Sequence, residues 1–154
     1  MARVLIVGCG CRGQALARAL VADRHAVRGT TRDPGRLPDI DATGAEAVSA
    51  DPDRLVTMMP AIEGVTVVCW LMGTAEAPEL HGPRLESMLE HIVDTPVRGF
   101  VYETGGVDRP EAVAVAARVA ATYNMPVEIL DADPAAHDAW LGEAVAAVGR
   151  VLSA

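Results

Sequence analysis

Lysine is absent from this chain: all 13 basic side chains among its 154 residues are arginine. That removes Schiff-base chemistry and every lysine-dependent acid/base device. Aromatic residues are scarce, at 3% of the chain, so the core has to be built from Ala, Val, Leu, Ile and Met. Cysteine occurs three times, as Cys9, Cys11 and Cys69. A small odd number does not make a disulfide scaffold and points to a reducing cytoplasm. Cys9 and Cys11 form a C-x-C with no His or second Cys pair nearby, so no metal site is expected. No apolar run approaches the ~20 residues of a membrane-crossing helix. The N-terminus also lacks the basic, apolar and small-residue pattern of a secretory leader. We therefore expect a cytoplasmic protein with no membrane partner. Positive charge is not in excess either. A net charge of −8 argues against a general nucleic-acid or anionic-lipid binder.

What is present alternates. Short apolar runs at 3–7, 25–30, 45–50, 65–71, 99–104 and 127–130 read as six strands, the third of them weak. Helical patterns follow at 12–23, 52–62, 78–94, 109–123 and 134–152. The strands show no clean polar alternation, which suggests burial on both faces and a parallel sheet. Strands alternating with helices predict a doubly wound α/β fold of Rossmann type, one domain over 1–154.

The stretch VLIVGCGCRGQAL places Gly8, Gly10 and Gly13 between the first strand and the first helix. In that context G-x-G-x-x-G has a mechanism. Gly8 permits the tight turn, Gly10 lets backbone approach a pyrophosphate, and Gly13 lets the helix pack on the strand. The helix N-terminus adds free N–H groups and partial positive charge. The loop, with Cys9, Cys11 and Arg12, is our candidate dinucleotide site. The two thiols could be acidified by the helix end; small side chains filling a crowded turn is the reading we favour.

An NAD-preferring site carries an acid at the end of the second strand, for the ribose 2′-OH. Here that strand ends in Thr30, Thr31 and Arg32, with no acid before Asp33 and a further cation at Arg36. Arginine suits a 2′-phosphate. We expect NADP(H) rather than NAD(H), the alternative being that Arg32 and Arg36 are ordinary exposed charges.

GCGCRGQALARAL together with HAVRGTTRDPGRL resembles the atypical short-chain dehydrogenase/reductases, especially the YeeZ-like epimerase/dehydratase group and its NmrA-like relatives. The segments GAEAVSADPDRL, IEGVTVVCWLMG, RGFVYETGGV and NMPVEILDADP are similar to the third to sixth strands of those proteins, so the likeness runs over residues 3–134. It implies Asp51 near the adenine and Leu71, Met72 and Gly73 along the cofactor. It also implies an oxidoreductase acting on an unknown small molecule, or a non-catalytic NADP(H)-binding sensor or partner subunit, as some NmrA-like relatives are.

The departures concern catalysis. Short-chain dehydrogenases use Tyr-x-x-x-Lys, and Tyr123 has no such context in a chain without lysine. The chain also ends soon after the sixth strand and its helix, leaving little material for a substrate-binding subdomain. The remaining candidates are Tyr102, Glu103 and Thr104 at the end of the fifth strand, as carbonyl-polarising groups or a base. Alternation allows only part of that set into one cleft. His81 could reach the same cleft, although a surface or capping histidine is the plainer reading. Asp131 and Asp133 suit the start of the last helix, and Trp70 and Trp140 suit core or interface packing. The helix at 109–123 is apolar nearly all round and wants more than one covering surface. We expect a homodimer built on it and on the helix at 78–94, unless the last helix covers that face through Trp140 and Leu141.

Overall fold

Val and Ile crowd the backbone least in extended geometry, and the runs that carry them do become strands. The computed structural model describes residues 2–154. Its strands are β1 (Arg3–Val7), β2 (Ala26–Thr31), β3 (Glu46–Ser49), β4 (Val67–Trp70), β5 (Gly99–Glu103) and β6 (Val127–Leu130). They form one sheet in the order β3-β2-β1-β4-β5-β6, and every neighbouring pair is parallel. The helices are α1 (Cys11–Ala22), α2 (Leu37–Asp41), α3 (Leu55–Ile62), α4 (Pro83–Ile92), α5 (Pro110–Tyr123) and α6 (His137–Ser153).

The sheet separates two cores. Leu5, Val7, Val68, Trp70, Phe100 and Tyr102 pack with α3, α4 and α5. Val4, Ile6, Val67, Cys69 and Val101 point the other way, against α1, α2 and α6. Alternate residues of one strand thus feed opposite cores, which is why the sequence shows apolar runs rather than alternation. The strand order reverses between β1 and β4, and this opens a crevice at the carboxyl ends of both.

Three elements differ from the sequence expectation. The helical pattern at 78–94 is broken: a 3₁₀ turn at Pro78–His81 precedes α4, and Gly82 sits at φ −136°, ψ −107° between them. Pro83 is the cause, because its ring disfavours helical geometry in the residue before it. After β2 the chain makes a 3₁₀ turn at Pro34–Arg36 and then α2, where no helix was expected. Asp33 starts that turn by accepting the Gly35 N–H at 2.9 Å. The last helix begins at His137 rather than at 134, after a turn in which Asp133 accepts the Ala135 N–H at 2.9 Å.

Candidate dinucleotide-binding cleft

The β1–α1 turn is built by its glycines. Gly8 has φ +82°, and a Cβ there would lie 2.8 Å from the Leu71 carbonyl oxygen. Gly13 has room for α1 to sit on Ile6 only without a side chain. At Gly10 a Cβ would meet nothing within 4 Å, so the missing side chain leaves space above the loop. The first α-helical bond runs from the Gln14 N–H to the Gly10 carbonyl, 2.8 Å. The N–H groups of Cys11, Arg12 and Gly13 come before it and have no partner within the helix.

This turn floors a cavity of about 560 Å³ at the crevice between β1 and β4. Of the residues assigned to the cofactor from sequence, Gly8, Cys9, Gly10, Cys11, Arg12, Gly13, Thr30, Thr31, Arg32, Arg36, Asp51, Leu71 and Met72 all line it. Gly73 does not. It faces a neighbouring cavity and is packed backbone to backbone against Gly105. The segment Thr74–Ala77, with Glu79 and Leu80, closes the far side of the cleft. No motif marks that segment in the sequence.

Cys9 contributes backbone to the cleft and turns its side chain into the core, where Gly29 makes room for it. Burial pushes its thiol, and that of Cys69, up to about 12. Cys9 is therefore a packing group. Cys11 is exposed.

At the β2 end, Arg32 is exposed and has no ion-pair partner among the described residues. Arg36 lies 3.8 Å from Asp33 across an exposed pair. Asp33 does not line the cleft. Its carboxylate is turned to the Gly35 N–H, while the Thr31 hydroxyl accepts the Asp33 N–H at 3.1 Å.

The catalytic candidates lie under the cleft rather than in it. Tyr102 is fully buried, and its hydroxyl is 2.6 Å from His81 Nδ1. His81 is itself buried, with Nε2 unpartnered among the described residues, so the surface reading of this histidine does not hold. Burial first and the Arg109 guanidinium second lower its pKa; weaker pulls from the Met72 and Ala75 backbone and from Glu103 act upward. Burial also pushes Tyr102 up to about 12.

Glu103 points to the opposite face and is wholly buried. Its Oε1 accepts from Arg12 Nη2 at 2.8 Å and from the Gly73 N–H at 2.9 Å. Its Oε2 accepts from Arg12 Nε at 3.1 Å and from Trp140 Nε1 at 2.8 Å. A carboxylate with four donors has no lone pair left for a substrate proton. Thr104 is buried, and its hydroxyl accepts the Gly106 N–H at 3.2 Å. Arg109 fastens the loops above: Nε donates to the Thr104 carbonyl at 2.8 Å and Nη2 to the Gly73 carbonyl at 3.0 Å. Trp140 and Arg109 thus hold the site's geometry, yet neither belongs to a local motif that could have marked it.

The cradle over Gly10, the free N–H groups of α1 and the cavity of about 560 Å³ fit a dinucleotide. No curated protein matches the chain in sequence. Its fold is similar to that of a triphenylmethane reductase from Citrobacter sp. in complex with NADP(H), at TM-score 0.65 and 16% identity over 83% of this chain and 48% of that one. It is similar to vestitone reductase from alfalfa, at TM-score 0.62 and 15% identity over 84% and 56%. A nucleoside-diphosphate-sugar epimerase from Staphylococcus aureus gives TM-score 0.64 and 14% identity over 82% and 49%. The chain spans about half the length of these structures. At such identity they speak for the fold alone. Among the described residues no helix is long and apolar enough to cross a membrane, and no cluster of three or more metal-ligating side chains occurs. A family model for NAD(P)H-binding domains matches residues 8–143, glycine loop included, and the chain belongs to that NAD(P)H-binding family.

Proposed function

We propose that the protein binds NADP(H) in the β1–β4 cleft and serves as an oxidoreductase of the atypical short-chain dehydrogenase/epimerase type on a small molecule. One observation carries the cofactor preference: of the charged residues that directly follow β2, Arg32 and Arg36 line the cleft and Asp33 does not, while the acids that line it, Asp51 and Asp53, follow β3 instead. A guanidinium matches a 2′-phosphate, whereas an NAD site needs a carboxylate there. A bound nicotinamide would supply the hydride chemistry. Beyond the Thr74–Glu79 segment a second, more open cavity of about 990 Å³ offers room for a small molecule.

A second reading rests on the same geometry. Tyr102, Glu103 and Thr104 are buried and hydrogen-bonded within the protein, which favours an NADP(H)-binding sensor or partner subunit without chemistry of its own. Three free cysteines suit a reducing compartment such as the cytoplasm for either role.

Titration of the wild type and of Arg32→Ala with NADPH and NADH tests the cofactor assignment. The wild type should prefer NADPH, and Arg32→Ala should weaken NADPH about tenfold while leaving NADH unchanged. Equal affinities in the wild type would reject NADP(H) preference. Stereospecific deuteride transfer from labelled NADPH to any small carbonyl compound separates enzyme from sensor.

A further inference from the structure

Glu103 is a wholly buried charge beneath the cleft with four hydrogen-bond donors, and its partners come from three distant segments. Arg12 begins α1, Gly73 follows β4 and Trp140 lies on α6. A buried carboxylate without function would be a poor choice where any apolar residue could fill the space. Here the pairing fixes the orientation of a cation. Glu103 takes the Nε and Nη2 edge of Arg12 in a bidentate grip, and the Trp140 ring lies 5.5 Å from the guanidinium carbon. Both restraints hold one rotamer of a side chain that would otherwise sample many. The opposite edge is left over. Its Nη1 reaches only the Thr74 hydroxyl, at 3.4 Å, and the Arg12 side chain remains 21% exposed on the lining of the cleft.

We propose that Glu103 is a positioning residue for dinucleotide binding: by clamping one edge of Arg12 it presents the other edge to the pyrophosphate, beside the free N–H groups of the glycine loop. This rests on the dinucleotide reading of the cleft and adds to it a role for a residue that touches no ligand. Charge-assisted hydrogen bonds to phosphate depend on angle as well as distance, so an unclamped arginine binds less well although its charge is unchanged. Trp140, in contact with Arg12 and bonded to Glu103, belongs to the same clamp.

The test compares two probes by calorimetric titration: the preferred dinucleotide, and its nucleoside half without the pyrophosphate. The half is adenosine 2′-monophosphate, or adenosine should NADH be preferred. Glu103→Gln should weaken the dinucleotide about tenfold and leave the nucleoside half within about twofold. Arg12→Ala should do the same, and the double variant should be no worse than Arg12→Ala alone, because both changes remove one interaction. Arg12→Lys should not restore affinity, since an ammonium cannot take the bidentate grip. Trp140→Phe, which keeps an aromatic ring and removes the indole N–H, serves should Glu103→Gln fail to fold, and a smaller loss confined to the dinucleotide is expected of it. A folded Glu103→Gln with wild-type dinucleotide affinity would overturn the proposal, as would equal losses for both probes, the mark of a merely structural role. Failure of the wild type to bind any dinucleotide would remove the proposal together with the reading beneath it.

Discussion

His81 and Tyr102 show how far a residue's surroundings can alter its meaning. Read along the chain, one was a surface or capping histidine and the other a candidate carbonyl-polarising group. Folding brings them together at 2.6 Å inside the core, and burial favours the neutral form of both. The consequence is a pH effect on stability. His81 has a folded pKa below its ordinary 6.5, so below that pH the unfolded chain binds a proton that the folded chain resists. Stability is then fully present above pH 6.5 and falls as the solution is acidified from there. Urea unfolding at pH 7.5 and pH 5.5 should show this loss in the wild type and a smaller one in His81→Gln. An identical loss in both would place the acid sensitivity elsewhere. Cys9 is the reverse case: the packing role favoured from its place in the glycine loop holds, and the contact with Gly29 shows what it packs against.

Among the elements, the β1–α1 turn was the most legible, since its three glycines do different work. Gly10 has ordinary backbone geometry, φ −81° and ψ −153°, and open space where a side chain would go. Gly10→Val should therefore fold normally and lose dinucleotide binding, because its methyl groups fill the cradle. Gly8 has φ +82° and backbone 2.8 Å from the would-be Cβ. Gly8→Ala should cost about 2 kcal/mol or more through left-handed strain and the clash with Leu71. Circular dichroism and thermal melts with a binding assay check both. Normal binding by a folded Gly10→Val would return that glycine to a packing role. The strands were legible for an equally local reason, a concentration of Val and Ile. The break at Gly82 was not, because apolar spacing continues across it and only Pro83 interrupts the backbone. The helix α2 was hidden in a proline- and aspartate-rich stretch that reads as loop.

For the whole molecule, the covering of α5 is the open matter. Ala112, Ala116 and Val119 are buried on the sheet, while Ala114, Ala117 and Ala121 are exposed. The C-terminal helix does not cover them: Trp140, Ala144, Ala147, Val148 and Val151 pack on the opposite face of the sheet. That alternative to a dimer is therefore excluded by topology. Arg118 reaches toward Glu86 and Glu90 of α4, at 3.6 and 3.8 Å, leaving a small-residue strip beside an exposed ionic cluster. We propose that a second copy packs there. Light scattering across a concentration series should give about twice 16.1 kDa, and Ala117→Glu should restore the monomer. A wild type that stays at the monomer mass at high concentration would reject the dimer.

Sequence alone determined what depends on near neighbours: six apolar runs, the glycine turn joining the first of them to a helix, and the cations that follow the second. Those features follow from backbone sterics and side-chain volume within a few residues, which is why the fold and the residues lining the β2 end of the cleft could be anticipated. Only tertiary structure decided what becomes of the residues at the end of β5. Tyr102 and Glu103 are adjacent in the chain and end in different cores, one held by His81 and the other by Arg12, Gly73 and Trp140. Those partners lie between 21 and 91 residues away. Local pattern carries no information on such pairings, because burial and hydrogen bonding are set by which segments the sheet order brings together.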